Sequence, residues 1–225
     1  MIPAALAQLL ALSDDARAAE VAAYHKAPRR YLGVPVPQVE AQVAEWRAAL
    51  SLDDRIALAS GLWDSDIHEA RVAAAKLLTQ ARIRPDDAAW TLLASWVPQF
   101  DAWAIADHAC SALSRRLVAE PARLDAVEAW TSHPNMWARR AALVATLPWT
   151  KQNHPRPEDL AIRDRVLGWA ASYVADRDWF IQKAVAWWVR DLSRHDPDRA
   201  RAFLAAHGAG LKSFARKEAA RYITD

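Results

Sequence analysis

Trp103 and Asp107 stand four residues apart in the run Asp101-Ala-Trp-Ala-Ile-Ala-Asp107-His-Ala-Cys. On a helix that spacing puts an indole and a carboxylate on one face. Lys183, Trp187 and Arg190 repeat the logic at i, i+4 and i+7, and the pair Arg139-Arg140 closely follows Trp137. A fixed carboxylate flanked by indole faces can stabilise a developing positive charge. Cations beside it can hold an anion such as phosphate.

Those residues belong to a repeating design. Asp66-Ile-His-Glu-Ala-Arg71, Asp101 to Asp107, Asn135-Met-Trp-Ala-Arg-Arg140 and Asp178-Trp-Phe-Ile-Gln-Lys183 each open with Asp or Asn, read as a helix cap. Each then places a charged side chain five or six residues later in an Ala-rich run. The steps from Arg71 to Asp107, Arg140 and Lys183 are 36, 33 and 43 residues. A helix pair with its turns takes roughly 34 to 47, so the four stretches read as equivalent helices of a helical solenoid. Equivalent helices present equivalent positions on one surface, so three cations and one carboxylate are expected to line a groove. Trp103, Trp137, Trp179 and Trp187 are expected beside them, whereas Trp46, Trp63, Trp90, Trp96, Trp130, Trp149 and Trp169 fall on apolar faces and read as core.

The rest of the chain supplies helices to hold that surface. Apolar residues recur at i, i+3, i+4 and i+7 in thirteen segments. In the first half these are 4–12, 16–27, 37–50, 53–62, 67–81, 86–97 and 102–117. In the second they are 121–130, 136–147, 157–175, 179–193, 197–206 and 210–223. The breaks between them are short, as between packed antiparallel helices. Thr150 to Glu158 is the longest polar break and reads as an inserted edge loop. The expected fold is all-α: a superhelical solenoid of HEAT-like antiparallel helix pairs with a concave basic groove, one domain over residues 1–225.

Composition narrows the function. Five glycines in 225 residues argue against an all-β fold with its many tight turns. No apolar run approaches the ~20 residues of a membrane span, and the first residues lack a basic leader, so no membrane partner is expected. The lone Cys110 excludes an internal disulfide and suits a reducing cytoplasm, where it reads as a buried thiol. The net charge of +2 is uneven: residues 1–112 hold 10 Lys and Arg against 14 Asp and Glu, and residues 113–225 hold 19 against 13. A basic half suits a phosphate-binding surface. The seven histidines show no ligand spacing, so no metal is expected; His68 and His108 read as exposed or groove-facing. No glycine-rich nucleotide loop is present.

Specific runs carry a resemblance. Tyr31-Leu-Gly-Val-Pro-Val-Pro37, Leu62-Trp-Asp64 with Glu69 to Leu78, and Trp103-Ala-Ile-Ala-Asp107 are three of them. Asn135 to Ala142, Trp179-Phe-Ile-Gln-Lys-Ala-Val-Ala-Trp187-Trp-Val-Arg190 and Ser213-Phe-Ala-Arg-Lys-Glu-Ala219 complete the set. From Tyr24 to Tyr222 the chain resembles the DNA alkylation repair family, the HEAT-like-repeat alkylpurine DNA glycosylases of the AlkD type. The resemblance implies a basic face that cradles duplex DNA and hydrolysis of the N-glycosidic bond of positively charged N3- or N7-alkylated purines, the first step of base excision repair. It implies no cofactor, and a lesion that stays stacked in the duplex. By family motif Asp107 is the catalytic acid residue, Trp103 and Trp187 are the aromatic pair around the damaged nucleotide, Arg140 and Arg190 hold phosphates, and Tyr24 matches an N-terminal family tyrosine. Lys183 and Arg139 are further candidate DNA contacts. Relatives often carry Asp directly after the motif Trp, where this chain has Ala104. Two rivals remain: a non-catalytic module binding distorted or branched DNA, and a protein-interaction scaffold. One copy suffices to hold a duplex, so a monomer is expected.

Overall fold

The computed structural model describes residues 1–223. Among these, thirteen α-helices form, one for each periodic segment, and the only strand-like pairing is an isolated bridge between Arg30 and Ile67. The chain gathers into two compact units, Met1–Glu120 and Pro121–Asp225.

The first unit holds α1 (Ile2–Leu10), α2 (Asp15–His25), α3 (Val36–Ala49), α4 (Leu52–Asp64), α5 (His68–Leu77), α6 (Asp87–Trp96) and α7 (Trp103–Ala119). Asp14 caps α2 by accepting from the Arg17 amide, and Ser51 caps α4 through the Asp54 amide. Pro37 falls in the first turn of α3, where an absent N–H costs nothing. Alternate helices stack: α5 lies between α3 and α7, α4 packs on α6, and α4 and α6 flank α5 and α7. The inner helix α5 is buried from His68 through Ala75, and Ala70, Ala73, Ala74 and Ala75 show no exposure. Small side chains there let helices approach on several sides at once. Larger groups fill the layer behind, where Trp63 and Trp96 stack face to face at 4.2 Å.

In the second unit, α8 (Leu124–Glu128) sits between two 3-10 turns, Pro121–Arg123 and Ala129–Ser132. Then come α9 (Met136–Val144), α10 (Pro157–Ser172), α11 (Trp179–Ser193), α12 (Pro197–His207) and α13 (Ser213–Ala219). The same alternation holds: α11 packs against α9 and α13 on one level, and α10 against α12 on the other. Segment 136–147 reads as one helix but stops at Val144. The Thr146 hydroxyl bonds back to the carbonyls of Ala142 and Leu143, and Pro148 cannot continue the ladder.

Buried charges tie the loops down. Arg116, fully buried on α7, pairs with Asp86 at 3.2 Å and donates to the carbonyls of Gln80 and Ala81, holding the α5–α6 loop. Arg163 on α10 does the same for the polar break after residue 150, donating to the carbonyls of Trp149 and Gln152 while pairing with Asp196. Glu69 clamps the Tyr31–Pro35 turn, its two oxygens accepting from the amides of Leu32 (2.9 Å) and Gly33 (2.8 Å). Gly33 is obligatory there: φ is +74°, and a Cβ would stand 2.3 Å from the Asp14 carbonyl oxygen. Glu69 is 3% exposed, so Glu69→Ala strands two buried donors. The expected loss is about 3 kcal/mol or more, read as a fall in the urea unfolding midpoint.

Candidate functional site

The catalytic candidates of the first unit gather at helix ends. Trp103 is the first residue of α7 and Asp107 lies one turn further on; both are partly exposed. The Trp103 indole meets the Tyr24 ring edge-on at 6.0 Å and the His25 ring at 5.2 Å. Tyr24, near the end of α2, is 70% exposed. His25 in turn stacks on His68, the first residue of α5, at 4.7 Å, and His68 stacks on Tyr31 at 4.9 Å. A run of four rings thus backs the indole. Ala104, where relatives often carry Asp, is buried at 6% and packs inward.

The histidines of this cluster are held neutral. Burial, helped by the charges of His25 and Arg29, lowers the His68 pKa to about 3. His108, next to Asp107, is lowered to about 4 by burial and by Lys76, against an opposing pull from Asp107 and Glu40. His25 is lowered too, by burial and by Arg29. A cavity of about 160 Å³ lies beside the stack, lined by Arg17, His25, Val39, His68, Glu69 and Val72 among others. His25 and His68 each keep a buried Nδ1 without a hydrogen-bond partner.

In the second unit the cations are already partnered. Lys183 and Arg190 share one carboxylate, Glu218 of α13, at 2.5 and 2.6 Å. Asp191 accepts from Arg190 and from the Trp187 indole N–H at 3.1 Å, which fixes that ring. Arg139 pairs with Asp176 and donates to the carbonyls of His133 and Pro134. Trp187, Lys183, Arg190 and Arg139 all keep partial exposure.

Several expected placements change. Arg140 was expected on a surface holding phosphate, but it is 4% exposed, with its guanidinium 5.9 Å from the Trp137 ring centre. Arg71 is also buried, donating to the Trp63 carbonyl and pairing with Asp66. Both sit on Ala-rich inner helices whose neighbours close over them. Only two of the four presumed caps act as caps: Asn135 accepts from the Trp137 amide and Asp178 from Phe180 and Ile181. Asp66 and Asp101 turn instead to the buried Arg29 side chain. His68, expected on an exposed or groove face, is 7% exposed. Trp90 and Trp130 are half-buried rather than core. Cys110 is buried, as read. Sequence reasoning missed His25, Asp191 and Glu218. Asp191 had a signal, its i+4 spacing from Trp187; Glu218 comes from another helix and had none.

The family model described as DNA alkylation repair enzyme matches residues 5–223, and the chain belongs to that family. Its fold is similar to that of a solved structure described as a predicted DNA alkylation repair enzyme from Enterococcus faecalis. That likeness has a TM-score of 0.79 at 19% identity, over 95% of this chain and 97% of the other. AlkD2 from Streptococcus mutans is similar at a TM-score of 0.63 and 18% identity, over 85% of this chain and 91% of the other. No curated protein matches the sequence.

The neutral histidines set a pH dependence. With a folded pKa near 3 against 6.5 unfolded, His68 stays uncharged in the native chain while the unfolded chain takes up a proton below about pH 6.5. Its contribution to stability is present above pH 6.5 and is lost as pH falls towards 3. The urea midpoint should drop between pH 7 and pH 5, and His68→Phe should flatten that slope. A variant as steep as the wild type would show that His68 is not the responsible group.

Proposed function

We propose that the chain is a monofunctional DNA glycosylase that hydrolyses the N-glycosidic bond of cationic N3- or N7-alkylated purines in duplex DNA. The observation that supports this most is the partly exposed Asp107, one turn beyond an indole that Tyr24 and His25 both contact. A purine alkylated at N3 or N7 carries positive charge and leaves as a neutral base. As the C1′–N bond breaks, positive charge builds on the deoxyribose. The Asp107 carboxylate stabilises that charge and orients the water that attacks C1′, and the Trp103 indole face adds cation–π attraction. The water proton passes to solvent and an abasic site remains. Neutral, undamaged bases leave poorly, so reactivity itself supplies selectivity.

On this reading Trp187 packs against the lesion-bearing strand. Lys183, Arg190 and Arg139 contact phosphates by exchanging a carboxylate partner for the DNA backbone. Arg140 supports Trp137 from behind rather than meeting DNA. The enzyme works as a monomer in the cytoplasm.

One observation favours a second reading: Lys183, Arg190 and Arg139 are all in internal ion pairs, as a protein-binding scaffold could leave them. Two measurements separate the readings. Asp107→Asn should abolish release of 7-methylguanine from methylated DNA, a loss on the order of 100-fold or more, with duplex affinity nearly unchanged. Wild-type release rates in that variant would remove the carboxylate from the mechanism. Duplex affinity should also fall steeply with salt, with a log–log slope of roughly 3 for three phosphate contacts. Binding indifferent to salt would favour the scaffold.

A further inference from the structure

Four aromatic rings line the starts of three helices in the second unit, and one of them is left in the open. Trp179, the first residue of α11, is 50% exposed. Its ring lies nearly parallel to Phe214 of α13 at 5.7 Å and edge-on to Phe180 at 5.0 Å. Phe180 continues to Trp137 of α9 at 4.6 Å. Helix formation does not require Trp at that first position, because Asp178 already caps α11. Packing within the unit does not cover it either. A large ring fixed by its neighbours and left half in water suits a partner that is itself flat.

The surrounding charge indicates which partner. The Lys183 ammonium lies 5.9 Å from the Trp179 ring centre. From residue 212 to 217, α13 and its cap carry Lys212, Arg216 and Lys217, and Arg216 and Lys217 are exposed, while the following Glu218 turns to Lys183 and Arg190. Lys217 follows Phe214 by three residues, so it rises on the same side of the helix. Fixed aromatic faces among cations are how proteins hold unpaired bases while tracking a phosphate backbone. Exposed apolar chains without that charge would suit a protein surface instead.

We propose that Trp179, supported by Phe214 and Phe180, is a stacking platform for an unpaired DNA base. This rests on the nucleic-acid reading above but not on the chemistry at Asp107. Where the strand carries an extruded or mismatched nucleotide, its base stacks on the indole while Lys183 and Lys217 lie near its phosphates.

Fluorescence anisotropy with two labelled duplexes of one sequence, fully paired or carrying a single unpaired nucleotide, tests the platform. Wild type should prefer the second. Trp179→Ala should weaken binding to it by on the order of ten-fold while leaving the paired duplex unchanged, and Trp179→Phe should restore most of the loss. The residue is exposed, so an unchanged melting temperature for Trp179→Ala serves as the folding control. Equal weakening on both duplexes, or none on either, overturns the platform and leaves the DNA reading standing. A wild type that binds neither duplex overturns both.

Discussion

Close packing of the inner helices is the constraint on which everything displayed by this protein depends. Residues such as Ala73, Ala106, Ala141 and Ala186 are fully buried, and their small size lets α5, α7, α9 and α11 be flanked on several sides. A helix enclosed in that way has one narrow stripe and its first turn left for other work. Trp103 and Asp107 occupy that remainder on α7; Trp179, Lys183, Trp187 and Arg190 occupy it on α11. A bulky residue at any of the buried alanines would push apart helices whose spacing sets those side chains.

The same enclosure governs the charges. Where the stripe narrows, a cation is swallowed: Arg71 and Arg140 are buried. Where it widens, the cation is reachable but neutralised, as Glu218 and Asp191 do for Lys183 and Arg190. Such pairing orders long side chains that would otherwise lose rotamer freedom on meeting a ligand. On the proposed reading, an incoming phosphate must compete with a carboxylate already in place. Binding by partner exchange is weaker than binding to bare cations, and for the proposed glycosylase that weakness favours release of undamaged DNA.

Helical periodicity made the elements legible, because each helix has a buried face whose spacing survives in the sequence. The spacing of Trp103 and Asp107 was legible for a related reason, since both lie on α7, as was that of Trp187 with Lys183 and Arg190 on α11. What stayed hidden crosses between elements. Asp66 and Asp101 looked like caps because composition cannot reveal Arg29 arriving from another segment. His68 looked exposed because nothing in its own stretch announces that His25 and Tyr31 will cover it. The basic excess of residues 113–225 was real, but its ion pairing depends on α13 lying against α11.

That hidden histidine stack bears on the proposed chemistry. A transition state with positive charge at the sugar is stabilised by a nearby anion and opposed by a nearby cation. His25, His68 and His108 all lie close to the Trp103–Asp107 turn or to each other, and burial keeps each of them uncharged at neutral pH. Exposed histidines would be partly protonated there and would offset the carboxylate. Burying them removes that opposition while keeping flat rings to brace the Trp103 indole. Arg29, whose charge also lowers the pKa of His25 and His68, is paired with Asp66 and Asp101. On the proposed reading, the buried rings beside Trp103 brace the indole without adding positive charge of their own near the Asp107 carboxylate.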